Sequence, residues 1–132
     1  MTERQPVRIP GGPRSLAPYS VGMRSGSLLF TAGQVGVDPG TGRLVEGGAA
    51  AEAAQALDNL RAVLEAGGSG LDRVLRTGIF LVSMDDFSAV NEVYARLMPE
   101  PYPARTTVAV QALPLGARIE IEMVAAAEPR GV

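Results

Sequence analysis

Two stretches late in the chain decide its fold: Tyr102-Pro103-Ala104-Arg105-Thr106-Thr107-Val108-Ala109-Val110 and Arg118-Ile119-Glu120-Ile121-Glu122-Met123. Both alternate apolar with polar or small residues at a period of two, which is the pattern of β-strands with one buried face. Because alternate residues share a face, we expect Arg105 to point the same way as Thr107, and Glu120 the same way as Glu122. The two strands can therefore present a guanidinium, a hydroxyl and a carboxylate from rigid positions, which is the material of a small polar site.

Upstream, the sequence predicts a β-hairpin followed by a helix. Ranges 20–24 and 28–32 flank Ser25-Gly26-Ser27, a short turn of the kind that joins two antiparallel strands. From about residue 49 to 66 the period becomes helical, and Gly67-Gly68 marks the end of the helix. The apolar face of this helix is formed by Ala50, Ala53, Leu57, Leu60 and Leu64.

A further strand over 74–82 and a second helix complete the pattern. The strand is apolar on both faces, and the residues expected to share one face are Leu75, Ile79 and Leu81. Either Asp85 or Asp86 is expected to cap the second helix, whose apolar residues recur at helical spacing up to Leu97.

The element order β-β-α-β-α-β-β predicts an α+β fold in which two helices cover one face of a sheet. At 132 residues the chain is predicted to be a single domain over 1–132, with a partly ordered N-terminal arm over 1–15 that is rich in Pro, Gly and Arg. Because the strand over 74–82 is apolar on both sides, the second face of the sheet also needs cover. A second copy of the chain is the simplest source, so we expect a homo-oligomer.

Residue types that are missing exclude several kinds of chemistry. The sequence contains no Cys and no His, and all 12 basic side chains are Arg. Disulfides, thiolate or histidine metal ligands, Ser-His and Cys-His catalysis, Schiff-base lysines and Walker-type phosphate loops are therefore excluded. Acid–base chemistry must come from Asp, Glu, Tyr, water or the main chain, and no metal site is expected.

The charge distribution bears on partners and location. The net charge is -2 and the arginines are scattered, so no nucleic acid is expected as a partner. The first ten residues lack an apolar core of the signal-peptide type, and no apolar run reaches about 20 residues, the length that spans a membrane. We therefore expect no membrane association and a cytoplasmic location.

Five side chains are candidates for a site, and the pattern alone leaves two interpretations open for each. Arg105 can clamp a substrate carboxylate through paired hydrogen bonds, or it can form an ordinary ion pair at a strand end. Glu120 can act as a general base on a water, or it can belong to a solvated strand face. Tyr19, Thr107 and Asn91 can each contact a ligand. Alternatively, Tyr19 is a partly buried tyrosine, Thr107 is a β-forming residue and Asn91 is a solvent-facing helix residue.

Taken together, these residues resemble the RidA (YjgF-like) family of reactive-intermediate deaminases, and the resemblance extends from Ala17 to Val124. The blocks that carry it are Thr31-Ala32-Gly33-Gln34-Val35, Gln55-Ala56-Leu57-Asp58-Asn59-Leu60, Asp86-Phe87-Ser88-Ala89-Val90-Asn91-Glu92-Val93-Tyr94, Tyr102-Pro103-Ala104-Arg105, Leu113-Pro114 and Ile119-Glu120-Ile121-Glu122.

The resemblance implies a chorismate-mutase-like subunit, a barrel-like homotrimer and ligand sites at the subunit interfaces. It also implies hydrolysis of the imine tautomer of an enamine, such as 2-aminoacrylate, to a 2-keto acid and ammonia without a cofactor. In this sequence Arg105 corresponds to the residue that grips the substrate carboxylate, and Glu120 to the one that positions the attacking water. Tyr19 corresponds to a residue that lines the pocket, and the main-chain groups around Gly33 correspond to those that contact the imine nitrogen. Asn91 corresponds to a residue near the pocket.

Three positions depart from the family pattern. Thr107 stands where many deaminase members have Cys, Ala32 where Ser is frequent, and Ala109 where close relatives have an acid. Thr107 and Ala32 remain candidate substrate-binding positions, and the departures leave the substrate open. The resemblance thus predicts a 2-iminobutanoate/2-iminopropanoate deaminase. The alternatives are a deaminase dedicated to one pathway, with an aminoacrylate or aminomuconate-type substrate, and a non-catalytic trimer that binds small carboxylates.

Overall fold

The computed structural model describes residues 3–13, 15 and 17–128. The strands in this part of the chain are β1 (Arg4–Pro6), β2 (Gly22–Ser25), β3 (Leu28–Thr31), β4 (Gln34–Val35), β5 (Val37–Asp38), β6 (Arg43–Leu44), β7 (Val74–Leu81), β8 (Ala104–Ala109) and β9 (Ile119–Ala126), and the helices are α1 (Gly48–Ala66) and α2 (Phe87–Leu97). The α+β class is confirmed, and the expected order is found as β2-β3-α1-β7-α2-β8-β9. The four remaining strands are too short to show a period in the sequence.

One mixed sheet organises the subunit, in the order β1-β2-β3-β9-β7-β8, and β4 also pairs with β9. β7 and β8 run parallel, and the other pairs in this sheet are antiparallel. β9 therefore lies in the middle of the sheet, between β7 on one side and β3 and β4 on the other. β5 and β6 form a separate two-stranded ribbon.

The hydrophobic core lies between the helices and one face of the sheet. On α1, Leu57, Leu60 and Leu64 are fully buried, as their helical spacing predicts. They pack in one cluster with alternate residues of the central strands, including Ile79 of β7 and Ile121 of β9. Both helices thus cover the same face of the sheet, and this expectation is confirmed. No helix in the described ranges is both long and apolar enough to cross a bilayer.

No helix of the described part of the chain covers the opposite face of the sheet. In β9, buried Ile119, Ile121 and Met123 alternate with partly exposed residues that include Glu120 and Glu122, as the period of two predicts. The same face exposes large apolar side chains, among them Phe30, which is 45% exposed and pairs with Val124 in register. A sheet face of this composition is suited to being covered by another protein surface.

One expectation about local structure is corrected, and another is confirmed only in part. Leu75 does not share the buried face of Ile79, because a β-bulge between Val74 and Arg76 shifts the alternation, and Leu75 is 51% exposed. The expected cap of α2 is confirmed in position, since Asp86 is the N-cap residue, but its side chain accepts no capping hydrogen bond and instead binds the Arg118 guanidinium at 3.1 Å. The N-terminal arm contributes β1, which pairs with β2, while residues 1, 2 and 14 lie outside the described residues.

Candidate active site

Arg105 lies on the helix-covered side of the sheet, where neutral groups hold its guanidinium. Its Nη2 atom donates to Asn91 Oδ1 at 2.6 Å. The guanidinium carbon lies 4.9 Å from the centroid of the Tyr94 ring and 5.7 Å from that of Phe87, which is cation–π geometry. Within the described residues no carboxylate lies within 4.0 Å of it. The strand-end ion pair considered for Arg105 is therefore absent, and the guanidinium retains its charge for another anion.

Helix α2 provides this setting through its residue spacing. Phe87, Asn91 and Tyr94 are at i, i+4 and i+7, so they lie on one helix face. The Tyr94 hydroxyl also forms a buried hydrogen bond of 2.9 Å to Thr77 Oγ1, and Thr77 is the register partner of Arg105 on β7. Burial raises the pKa of Tyr94, so the ring next to the cation remains a neutral phenol.

Thr107 lies two residues beyond Arg105 on the same strand face. Its Oγ1 atom is buried and has no hydrogen-bond partner among the residues that the structure describes. A buried hydroxyl without a partner costs about 1–3 kcal/mol, so such a group calls for a specific explanation. A ligand atom bound next to Arg105 would provide one.

Glu120 lies at a separate cavity of about 660 Å³, together with Tyr19 and Gly33. Tyr19 is 49% exposed at its wall. A Cβ atom at Gly33 would come within 2.8 Å of the carboxyl carbon of Glu120, so only glycine allows the carboxylate to lie against this main chain. The main chain at Gly33 and the Glu120 carboxylate thus form one surface of the cavity.

The environment of Glu120 suits a proton acceptor. Burial raises the pKa of its carboxyl group, and the neighbouring charge of Glu122 raises it further. No cation in the described residues forms an ion pair with it, since Arg118 binds Asp86 instead. A carboxylate with a raised pKa takes up a proton from water more readily than an ordinary glutamate does.

Arg105 and Glu120 lie on opposite faces of the same sheet. Both β8 and β9 pair with β7, where Arg105 is the partner of Thr77 and Glu120 is the partner of Phe80. Thr77 and Phe80 are three positions apart on β7, so their side chains leave opposite sides. One chain therefore holds two candidate half-sites: an arginine half-site formed by Phe87, Asn91, Tyr94, Arg105 and Thr107, and a glutamate half-site formed by Tyr19, Gly33 and Glu120 around the cavity.

The remaining predicted residue, Ala32, is not among the residues that line the cavity, and its amide donates to the Val21 carbonyl at 2.9 Å. Sequence analysis had not identified Phe87 and Tyr94 as supports of Arg105, although their spacing around Asn91 was a visible signal. It also had not identified Leu115 and Asn59, which line the cavity and whose proximity to Glu120 depends on tertiary contacts.

Residues 11–127 match the family model described as Endoribonuclease L-PSP, and the chain belongs to this family. A human protein named 2-iminobutanoate/2-iminopropanoate deaminase is 40% identical over 126 residues, which cover 96% of this chain and 92% of the human protein. The predicted membership of the RidA (YjgF-like) family is thereby confirmed.

Two solved structures show the same fold in named relatives. The crystal structure of RidA from the Antarctic bacterium Psychrobacter sp. has 37% sequence identity and a TM-score of 0.89, and the match covers 92% of this chain and 98% of that one. The crystal structure of Escherichia coli TdcF with bound serine has 29% identity and a TM-score of 0.87, and the match covers 94% of this chain and 99% of that one.

Proposed function

We propose that the protein is a 2-iminobutanoate/2-iminopropanoate deaminase, which hydrolyses reactive imines and their enamine tautomers to 2-keto acids and ammonia. The observation that carries this proposal is the pair of complementary half-sites, one with a guanidinium and one with a partly buried glutamate, neither of which has an oppositely charged partner among the described residues. The human relative of similar length is named for the same reaction.

The arginine half-site supplies the grip on the substrate. Asn91 occupies one N–H of Arg105, which leaves further N–H groups of the guanidinium for the two oxygens of a carboxylate. The faces of Tyr94 and Phe87 restrict the orientation of the guanidinium plane before the substrate arrives. A fixed carboxylate in turn fixes the adjacent C=N carbon, so positioning is the main contribution of this half-site.

The glutamate half-site supplies the water chemistry. Glu120 accepts a proton from the attacking water as the water oxygen forms a bond to the C=N carbon, the C=N π electrons pass to nitrogen, and the protonated Glu120 gives this proton to that nitrogen. Glu120 then accepts the hydroxyl proton of the resulting carbinolamine and gives it to the amine nitrogen, so that the C=O bond of the keto acid forms, the C–N bond breaks and ammonia leaves. Tyr19 and the main chain of Gly33 border the same cavity and are placed to contact the reacting group. The residues in this proposal supply acid–base chemistry and positioning, and no cofactor takes part.

A complete site requires two copies of the chain, because Arg105 and Glu120 leave opposite faces of one sheet. We therefore propose a barrel-like homotrimer in which the arginine half-site of one subunit meets the glutamate half-site of the next, giving three interface sites. The apolar side chains exposed on the open face of the sheet support such an assembly.

The direct test is hydrolysis of 2-iminopropanoate, generated from alanine by an amino-acid oxidase, with the surviving imine trapped by semicarbazide. Wild-type protein is expected to reduce trapping by accelerating hydrolysis. Arg105→Ala is expected to lose about 100-fold or more in kcat/KM, because a charge-assisted bidentate contact to the substrate is gone. Arg96→Ala removes an exposed arginine from the same helix as Asn91 and is the matched control, expected to act like wild type. Equal rates for wild type and Arg105→Ala would refute the clamp.

A second candidate is a trimer that binds small carboxylates without turning them over, and the serine-bound relative favours it. Calorimetric binding of 2-ketobutyrate by wild type with no acceleration of imine hydrolysis would establish that candidate. A much larger imine processed in preference to 2-iminopropanoate would instead indicate a deaminase dedicated to one pathway.

We further propose a cytoplasmic protein with no membrane or nucleic-acid partner, since the net charge is -2 and the arginines are scattered. A salt-sensitive affinity for RNA would contradict that part.

A further inference from the structure

We infer that the apolar part of the Glu120 cavity, bordered by Leu115, receives the aliphatic side chain of a 2-imino acid larger than 2-iminobutanoate, such as the imine derived from leucine. Leu115 is then a specificity-determining residue that selects substrates with apolar tails. This inference rests on the proposed function and specifies its substrate class.

The size of the cavity is the first argument. Its volume is about 660 Å³. A three-carbon imino acid fills roughly the space of three or four waters, ~100 Å³, when a water in the liquid takes ~30 Å³. The cavity size is typical of sites that enclose a complete small molecule with a side chain.

The composition of the wall is the second argument. Val35 is the direct register partner of Glu120 between β4 and β9, so its side chain lies next to the carboxylate on the same face of the sheet. Val37, Pro39 and Pro114 continue the lining, and Glu120 is the only charged side chain among the described residues that border the cavity. An apolar tail is compatible with this wall, whereas an acidic tail would meet the Glu120 carboxylate, and none of the described residues of the same subunit that border the cavity carries a positive charge.

The wall next to Glu120 is held in place from behind. Asn59 of α1 donates through its side-chain amide to the carbonyls of Val37 at 2.8 Å and Val35 at 3.4 Å, and its own oxygen accepts from Gln55 at 2.9 Å. Between the two valines, a Cβ atom at Gly36 would come within 2.6 Å of the Glu52 main chain, so this segment lies directly against α1. A wall fixed in this way can discriminate between side chains by shape.

Leu115 itself combines two unfavourable properties, one of its backbone and one of its side chain. Its backbone has φ 61° and ψ 16°, the left-handed region that is unfavourable for a residue with a Cβ atom. Its side chain is 59% exposed, the largest exposed fraction among the large hydrophobic residues of the described chain. Strain that persists at the edge of a cavity points to a functional role, and a leucine there is suited to cover an apolar group.

The test compares kcat/KM for the imines that one amino-acid oxidase forms from leucine and from alanine. Wild type is expected to favour the leucine-derived imine. Leu115→Asn keeps a similar size and suits the left-handed backbone, so folding is preserved while the apolar contact is lost. The leucine-to-alanine ratio is expected to fall about tenfold in Leu115→Asn, the discrimination that roughly one or two methylenes provide. Leu115→Met is expected to retain the ratio, and Leu97→Asn, an exposed leucine on α2, serves as the matched control.

The outcomes separate this inference from the function on which it rests. Wild type that hydrolyses neither imine overturns the proposed function. Wild type that accelerates only the alanine-derived imine leaves that function standing and overturns the role of Leu115. An unchanged leucine-to-alanine ratio in Leu115→Asn also overturns the role of Leu115 in specificity. If sedimentation of that variant shows altered assembly as well, Leu115 belongs to a subunit contact instead.

Discussion

The partners of Arg105 determine what its charge is available for. An arginine beside a carboxylate is neutralised by that neighbour, as Arg118 is by Asp86. Arg105 instead contacts an amide oxygen and two aromatic faces, which orient the guanidinium without cancelling its charge. This setting is the one that the proposed function requires, with Arg105 as a preformed carboxylate receptor.

Arg105→Lys tests the geometry of this receptor separately from its charge. Lysine keeps the positive charge but loses the planar fork and its stacking on Tyr94. We expect kcat/KM for 2-iminopropanoate to fall about 10- to 100-fold, mainly through a higher KM, because a bidentate contact becomes a single point charge. Steady-state kinetics measure this, with Arg96→Lys as the control. A wild-type KM in Arg105→Lys would show that charge alone is sufficient.

The ionisation of Glu120 links activity to pH. Burial, assisted by the charge of Glu122, raises the pKa of Glu120 above the ordinary value of a glutamate side chain. Activity that needs the carboxylate should therefore decrease as pH falls through this raised pKa, giving an acid limb above that of an ordinary glutamate. The limb should be absent from the residual rate of Glu120→Gln. An acid limb that persists unchanged in Glu120→Gln would assign it to a different group.

The same shift predicts an effect on stability with a definite sign. The folded state holds the Glu120 proton more tightly than the unfolded chain, so this contribution to stability is present at low pH and is lost as pH rises through the folded pKa. At about pH 7 the ionised carboxylate therefore destabilises the fold, and Glu120→Gln should unfold at higher urea concentration than wild type. The difference should shrink towards about pH 4. A lower midpoint for Glu120→Gln at neutral pH would contradict this account.

At the scale of elements, α2 functions as the support of the arginine half-site. Tyr94→Phe keeps the ring beneath Arg105 but removes the hydroxyl that bonds to Thr77, leaving the buried Thr77 oxygen without that partner. We expect the free energy of unfolding to fall by about 1–2 kcal/mol, while kcat/KM changes only slightly because the ring face remains. Urea unfolding and kinetics on the same sample check both parts. A large kinetic loss with no loss of stability would mean that the hydroxyl itself acts in catalysis.

An element was predictable from the sequence where its structure depends on residues close to it in the chain. The faces of α1 and β9 follow from the periods of their own sequences, and both were predicted correctly. The bulge at Val74 and the pairing of Asp86 with Arg118 depend on partners distant in the chain. For the same reason, sequence alone predicted that Arg105 and Glu120 each occupy one face of a strand, but not that the two faces are opposite. That relation depends on the register of both strands against β7.

At the scale of the whole molecule, the open face of the sheet is the surface through which we propose that the copies assemble. Phe30 is exposed there beside Val124, on the face that also carries Glu120. Phe30→Asp places a charge in this apolar surface and should shift the assembly towards monomer, since burying an unpaired charge is strongly unfavourable. Sedimentation velocity measures the change, and Leu97→Asp on α2 is the control. Unaltered sedimentation of Phe30→Asp would exclude this part of the face from the interface.

Each site of the proposed assembly combines Arg105 of one copy with Glu120 of another. Mixing two inactive variants tests this arrangement most directly. Arg105→Ala and Glu120→Ala are each purified, unfolded together, refolded, and assayed for hydrolysis of 2-iminopropanoate. If subunits assemble at random, about one site in four should contain both native side chains, so the mixture should recover about a quarter of the wild-type activity. Each variant refolded alone should remain inactive. A mixture as inactive as its components, with hybrid assembly verified by differential tagging, would contradict the claim.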